Sequence, residues 1–334
     1  MSLPPLSHAE SPNPIQIGLK IIGLLVMISV ILYILTITGT IKCGSAPFFC
    51  DIYYGIQGNP RVLIAYGDDG LGDPDKLQMI FQDRVKGLGI PVSKQHIRNL
   101  GPGNITNYDL VIVTRARTMS TEKIKMFIDY GIFGGKLVWT GDAGTELAKD
   151  EKGSFLYKDE DPDLVSEGEQ PHELVNPWAR KLNNEIVSLD KFLGINFVKN
   201  YCEIGSCSSK QNIVGIINPL DNDHGLIRGI STSLVLKIYD ESGFSVVSPS
   251  SSGVSTIVLV TDIGSKISKD EITIGPSLPL IVTSSKSKLL GMNLGENVAY
   301  YSMPLEYYFD PNLKEEFGYY FVEQLYYYMF YGVN

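Results

Sequence analysis

Five aspartates fall on two short stretches that read as turns. Asp68, Asp69, Asp73 and Asp75 follow the apolar run RVLIAY (61–66), and Asp142 follows KLVWT (136–140). Carboxylates on loops at strand ends are hard oxygen donors, and three that converge can hold Mg²⁺ or Ca²⁺. Asp68, Asp69 and Asp142 are the set best placed to do so, which would make the chain a divalent-metal-dependent hydrolase or transferase. The competing reading is that Asp beside Gly builds turns and caps helices, as Asx residues do routinely. Residues 67–72 (GDDGLG) have neither the G-x-x-x-x-G-K-[ST] nor the G-x-G-x-x-G form, and their charge repels phosphate, so nucleotide cradling is not expected.

Cysteine is the other reactive side chain. Cys43 and Cys50 form one close pair and Cys202 and Cys207 another, with spacings C-x6-C and C-x4-C. Two local disulfides fit this pattern and would place the body outside the reducing cytosol. Zinc sites favour C-x2-C, which neither pair has; four unpaired thiols are the remaining alternative. Asn104-Ile105-Thr106 is a glycosylation sequon, usable only on the same side of a membrane as disulfides.

Residues 21–39 (IIGLLVMISVILYILTITG) carry no charge and no proline. As a helix, such a run spans about 30 Å, the thickness of the hydrocarbon core of a bilayer. A removable signal has a shorter apolar region and a small-residue cleavage site; Thr40, Ile41 and Lys42 offer none, so a retained single-pass signal-anchor over 15–42 is the expectation. Lys20 before the run and Lys42 after it leave the positive-inside rule undecided. The Pro-rich residues 1–14 are expected to be a disordered tail, and 43–60 a spacer. With 37 acidic and 28 basic residues and no basic stripe, the chain is not expected to bind nucleic acid.

The elements that must position these residues lie in 61–334. The apolar runs 61–66, 108–114 and 136–140 read as strands buried on both faces. Helices are expected at 75–88, with Leu77, Ile80, Phe81, Val85 and Leu88 on one face, and from Ser120 or Thr121 to Tyr130. A short strand is expected at 90–93. Strand, helix, strand, helix, strand with short connections predicts an α/β fold, a doubly wound, mostly parallel sheet. Residues 148–171 are acidic and read as an exposed loop. Short β-like runs at 213–217, 234–239, 256–261 and 280–283 form a β-rich insertion or extension at about 150–287. A strand at 288–294 and a Tyr-rich helix at 312–331, its aromatic stripe a core face, close the chain.

The blocks RVLIAYGDDG, YDLVIVTRARTMSTEKIKMFIDYGIFGGKLVWTGDAG and KLLGMNLGENVAYYSMPLEYYFD resemble the class I glutamine amidotransferase-like fold, in the broad sense that includes membrane-associated, gliding-protein and oligosaccharyltransferase-subunit relatives. The resemblance implies a cysteine nucleophile at the tight turn after the strand matching 136–140, in a G-x-C-x-G setting. Here that turn reads Gly141-Asp142-Ala143-Gly144. No residue is therefore assigned a catalytic role. His172, His224 and Glu306 are expected in loops, exposed, and the Ser/Gly run at 248–255 lacks a nucleophile elbow. The expected function is a non-catalytic binding or scaffold domain held at a bilayer, docking a membrane-complex protein or a glycan.

Overall fold

The computed structural model describes residues 14–37, 43, 49–84, 90–147, 160–161, 176–182, 185–205, 207, 213–230, 234–237, 243–250, 255–269, 272–286, 288–289, 292–293, 296–310, 315–316 and 318–332. Most of the tail 1–14 and of the acidic stretch 148–171, together with Val85, Leu88, His172 and Phe317, lie outside them; Glu160–Asp161, within the expected loop, form a short strand paired with Lys181 and Leu182.

Largely apolar five-residue runs make three of the first strands, β1 (Val62–Tyr66), β3 (Leu110–Thr114) and β4 (Lys136–Thr140), whereas β2 (Val92–His96), at the sheet edge, is mostly polar and half-buried. The chain continues through β5 (Ile213–Pro219), β6 (Val235–Lys237), β7 (Thr256–Asp262), β8 (Ser277–Ser284), β9 (Val298–Tyr301), β10 (Phe309–Asp310) and β11 (Glu315–Glu316). All lie in one 11-stranded sheet, ordered β2-β1-β3-β4-β9-β8-β7-β5-β6-β10-β11. Its first five strands are mutually parallel, and from β9 onward each neighbour is antiparallel. The β-rich part thus extends the parallel sheet at its edge.

Successive side chains of a strand point to opposite faces. Val62 and Ile64 pack on one face with Leu77, Ile80 and Phe81 of α3 (Pro74–Arg84) and with Phe321 and Leu325 of α5 (Gly318–Phe330). Leu63 and Ala65 pack on the other with Ile124 and Phe127 of α4 (Thr121–Ile132) and with Trp139 and Trp178. Helices on both faces explain why β1, β3 and β4 are largely apolar rather than alternating. Ser120 caps α4, its side chain accepting from the Lys123 amide at 3.3 Å.

Several boundaries differ from expectation. The strand beside β4 is Val298–Tyr301; Lys288–Leu289 and Met292–Asn293 instead pair with each other. Both stretches are short and apolar, and periodicity alone does not rank them. The expected strand 90–93 lies at Val92–His96. A strand not anticipated, Ser245–Pro249, pairs with Ile195–Asn200.

The stem is α1 (Pro14–Ile37), long and apolar enough to cross a membrane, and none of its apolar window is buried by the rest of the protein. The spacer carries a helix, α2 (Phe49–Gln57). Cys43 and Cys50 are disulfide-bonded, as are Cys202 and Cys207. Tyr33 of α1 meets Tyr53 of α2 at 5.9 Å between ring centroids, and Gln57 donates to the Tyr33 hydroxyl at 2.6 Å. Tyr54 in turn meets Tyr331 at 5.4 Å.

Candidate functional site

The parallel strands β1, β3, β4 and β9 all end at one crest, where open α/β sheets bind ligands. Backbone hydrogen bonds tie the loops there into layers. Gly67 donates to Arg115 at 3.0 Å, Arg115 to Leu71 at 2.8 Å and Arg117 to Asp69 at 2.9 Å. Gly144 donates to Ala116 at 2.8 Å, Glu146 to Arg117 at 3.0 Å and Gly141 to Tyr301 at 2.7 Å. The approach is close enough that a Cβ on Gly72, at φ +125°, would sit 2.1 Å from Thr114 Oγ1. Arg115, at φ 49°, is the sole non-glycine residue with positive φ among those described.

Asp142 stands at the centre of this crest, 0% exposed. Its Oδ1 accepts from the Leu71 amide at 2.8 Å, and its Oδ2 from Arg117 Nε at 2.5 Å and Asn200 Nδ2 at 2.9 Å. Burial works against the Arg117 charge, but the carboxylates of Asp142, Glu146 and Asp69 together hold the guanidinium above its ordinary pKa. The loop behind Asp142 is fixed as firmly. Both indoles, Trp139 and Trp178, donate to the Ala143 carbonyl at 2.9 Å. The buried Arg180 donates to Pro177 at 2.8 Å, Met119 at 2.6 Å and Gly144 at 2.5 Å.

The other aspartates of the sequence reading face elsewhere. Asp69 accepts from the Thr118 amide at 3.1 Å and hydroxyl at 2.7 Å. Asp68 turns outward to His96, at 3.1 Å, and to Arg98. Asp73 caps α3, accepting from the Asp75 and Lys76 amides at 3.1 and 3.0 Å, and Asp75 pairs with Lys94. The expected Asp68–Asp69–Asp142 cation site is therefore not formed: each carboxylate is engaged by a different set of donors. Among the described residues no three His, Cys, Asp or Glu side chains are grouped to hold a metal ion.

The residue that sequence reasoning missed is Glu306, expected exposed and found 1% exposed. It lies in the turn after β9, against the start of α3, where its Oε1 accepts from the Asp73 amide at 2.6 Å. Burial pushes its carboxyl up to about 7, against the pull of that hydrogen bond. Its Oε2 and Thr114 Oγ1 are buried with no hydrogen-bond partner among the described residues. No local signal marks Glu306, because its burial comes from α3 and α5 closing over a loop. His224 lies away from the crest, 3.1 Å from Glu296 and beside Tyr328.

No protein-family model matches the chain, and no curated protein matches it. Solved structures resemble it loosely. A ThuA-like protein from Bacteroides uniformis superposes with a TM-score of 0.46 at 13% identity, over 81% of this chain and 92% of that one. A β-galactosidase from the Antarctic haloarchaeon Halorubrum lacusprofundi gives 0.45 at 13% identity, over 82% of this chain and 31% of that one. The cold-adapted β-galactosidase from Rahnella sp. R3 gives 0.43 at 14% identity, over 80% and 31%. The chain thus spans under a third of the length of these β-galactosidases, and the scores carry no argument about activity. Its structural neighbours include, at low identity, a ThuA-like protein, whose fold is glutamine amidotransferase-like.

Proposed function

We propose that this protein is a membrane-anchored, non-catalytic binding module. Its amidotransferase-like head stands outside the cytoplasm on a single N-terminal helix, and docks a protein or glycan partner within a membrane-surface complex. The observation that carries this reading is the state of Asp142. In catalytic members of the fold, that turn presents a nucleophile to substrate. Here it holds a carboxylate with no exposed surface, bonded to Leu71, Arg117 and Asn200. A side chain so engaged is a structural tie rather than a reactive group. The two disulfides support an oxidising compartment, and the uncovered apolar stem supports retention in a bilayer.

The test has two arms. Full-length protein with Asp142→Cys, which restores the family's nucleophile type, is assayed for glutamine hydrolysis, and none is expected because position 142 is sealed. Wild-type protein is then cross-linked in native membranes and sized. A defined assembly larger than the chain is expected, and the Arg98→Glu variant on the exposed crest rim reports whether that face makes the contact. Glutamine hydrolysis by the Cys variant, or a wild-type chain that stays monomeric under cross-linking, overturns the proposal.

A further inference from the structure

The two halves of the molecule are polarised along the parallel strands. The crest with Asp142 and Glu306 lies at their carboxyl ends, and the opposite ends, at Arg61, Asp109 and Lys136, gather around α2 and the last turn of α5. Asp109 accepts from the Arg61 amide at 2.7 Å. Its charge also acts, after burial, to push the Tyr53 hydroxyl up, which puts it beside α2. Lys136 Nζ stands 4.9 Å over the Phe330 ring, and the Phe330 carbonyl accepts from Tyr54 at 3.5 Å. Cys43, buried against the same carbonyl, is bonded to Cys50 at the start of α2. These contacts join the stem to the body at the amino-terminal ends of the strands.

On the side turned away from the body, α2 exposes two large apolar side chains. Ile52 and Ile56, four residues apart and so on one side of the helix, are 58% and 65% exposed. What covers them follows from the stem. α1 contains Tyr33 four residues before its end at Ile37, about 6 Å below the helix terminus at 1.5 Å per residue. Tyr33 is in direct contact with Tyr53 and Gln57. A helix that touches the stem at that depth lies at the membrane boundary, where tyrosines gather and amphipathic helices bury their apolar side.

We infer that α2 is a lipid-binding helix that seats the body on the bilayer, with Ile52 and Ile56 in the acyl boundary and the crest facing away. The seat rests on the membrane-anchored reading above. A five-residue strand is about 15 Å long, more than the roughly 5–7 Å depth of a headgroup layer. The crest is thus held clear of lipid and open to a partner in the aqueous phase.

The test uses full-length protein reconstituted in phosphatidylcholine vesicles. A benzophenone side chain replaces Ile52, Ile56 or, at the crest, Arg98, whose side chain is 76% exposed. All three positions are solvent-facing in the isolated chain, so folding is unaffected. After irradiation, positions 52 and 56 should give about tenfold more lipid adduct than position 98, since the first two lie in the acyl boundary and the third beyond the headgroups. Equal, low adduct at all three in protein that floats with vesicles overturns the seat and leaves the anchor standing. Adducts at 52 and 56 to protein in place of lipid, in native membranes, overturn it in favour of a helical partner. Protein that does not float at all overturns the anchor, and the seat with it.

Discussion

Arg117 and Asp142 join the loops after β3 and β4 through one atom: Nε and Nη2 of the arginine each lie 2.5 Å from Asp142 Oδ2. The carboxylate is fully buried, while the arginine side chain keeps 23% of its surface. Charges of this kind stabilise only as a pair, since removing one strands the other in a medium that solvates it poorly. Asp142→Ala should therefore cost about 3–5 kcal/mol of folding stability, leaving Arg117, Asn200 and the Leu71 amide without their acceptor. Asp142→Asn keeps the shape and part of the hydrogen bonding and should cost about 1–3 kcal/mol. Chemical denaturation of the solubilised protein reads both. Unchanged midpoints for the Ala variant would show that Asp142 ties nothing together.

How much of this was legible in the residues depends on how local the cause is. β4 falls on 136–140 as read, and α4 begins at Thr121 with Ser120 as its cap, because apolar runs and capping residues act within a few positions. The two disulfides were legible from spacing. Asp142 falls in the turn after β4, as its position along the chain implies, yet its partners come from positions 71, 117 and 200, which no pattern along the chain relates. The partners of the aspartates read as metal ligands are hidden for the same reason: Asp68 and Asp69 are adjacent in sequence, yet one bonds His96 and Arg98 while the other accepts from Thr118. Both lie in the loop after Tyr66, the last residue of β1, where each carboxylate takes the donors nearest to it.

Glu306 makes folding stability depend on pH in the direction opposite to a salt-bridged carboxylate. Its carboxyl is raised by burial from an ordinary 4.5 to about 7, so the fold favours the protonated form. That contribution is fully present below about pH 4.5 and is lost as the pH rises through about 7, amounting to about 3 kcal/mol. Glu306→Gln, always neutral, should flatten this part of the profile, and the difference in stability between variant and wild type should grow from pH 4.5 to pH 8. Parallel profiles would mean that Glu306 is ionised in the fold at all these values.

Arg180 reaches carbonyls on three segments, at Pro177, Met119 and Gly144, from a position with no exposed surface. The planar fork of a guanidinium can serve such divergent acceptors, whereas a lysine ammonium is a single point. Arg180→Lys should therefore destabilise by about 2–4 kcal/mol, as losses of buried charged hydrogen bonds do. The effect should appear first as faster proteolysis in the loop 141–146, which Arg180 holds from behind. A Lys variant with wild-type stability and proteolysis would reduce Arg180 to packing.

On the proposed membrane-anchored reading, the disulfides give a test of which side the body occupies. Cys43 is buried, but Cys50, Cys202 and Cys207 are partly exposed and become reactive once their bonds are opened. An impermeant maleimide added to intact cells should leave the protein unlabelled, then label it after treatment with an impermeant reductant. A body in the cytosol would take label only after lysis. The bonds close separations of 7 and 5 residues, short loops for which the chain-entropy account gives about 2 kcal/mol each. Cys202→Ser with Cys207→Ser should thus lower the unfolding midpoint modestly and leave the anchor alone. Cys43→Ser with Cys50→Ser should do more than its entropy implies, because that bond also holds the start of α2 against the Phe330 carbonyl. Loosening it frees the stem from the body, and the segment between α1 and α2 should become the first site of proteolytic release of the head from membranes. If the two double variants are released at the same rate, the first disulfide does not join stem to body.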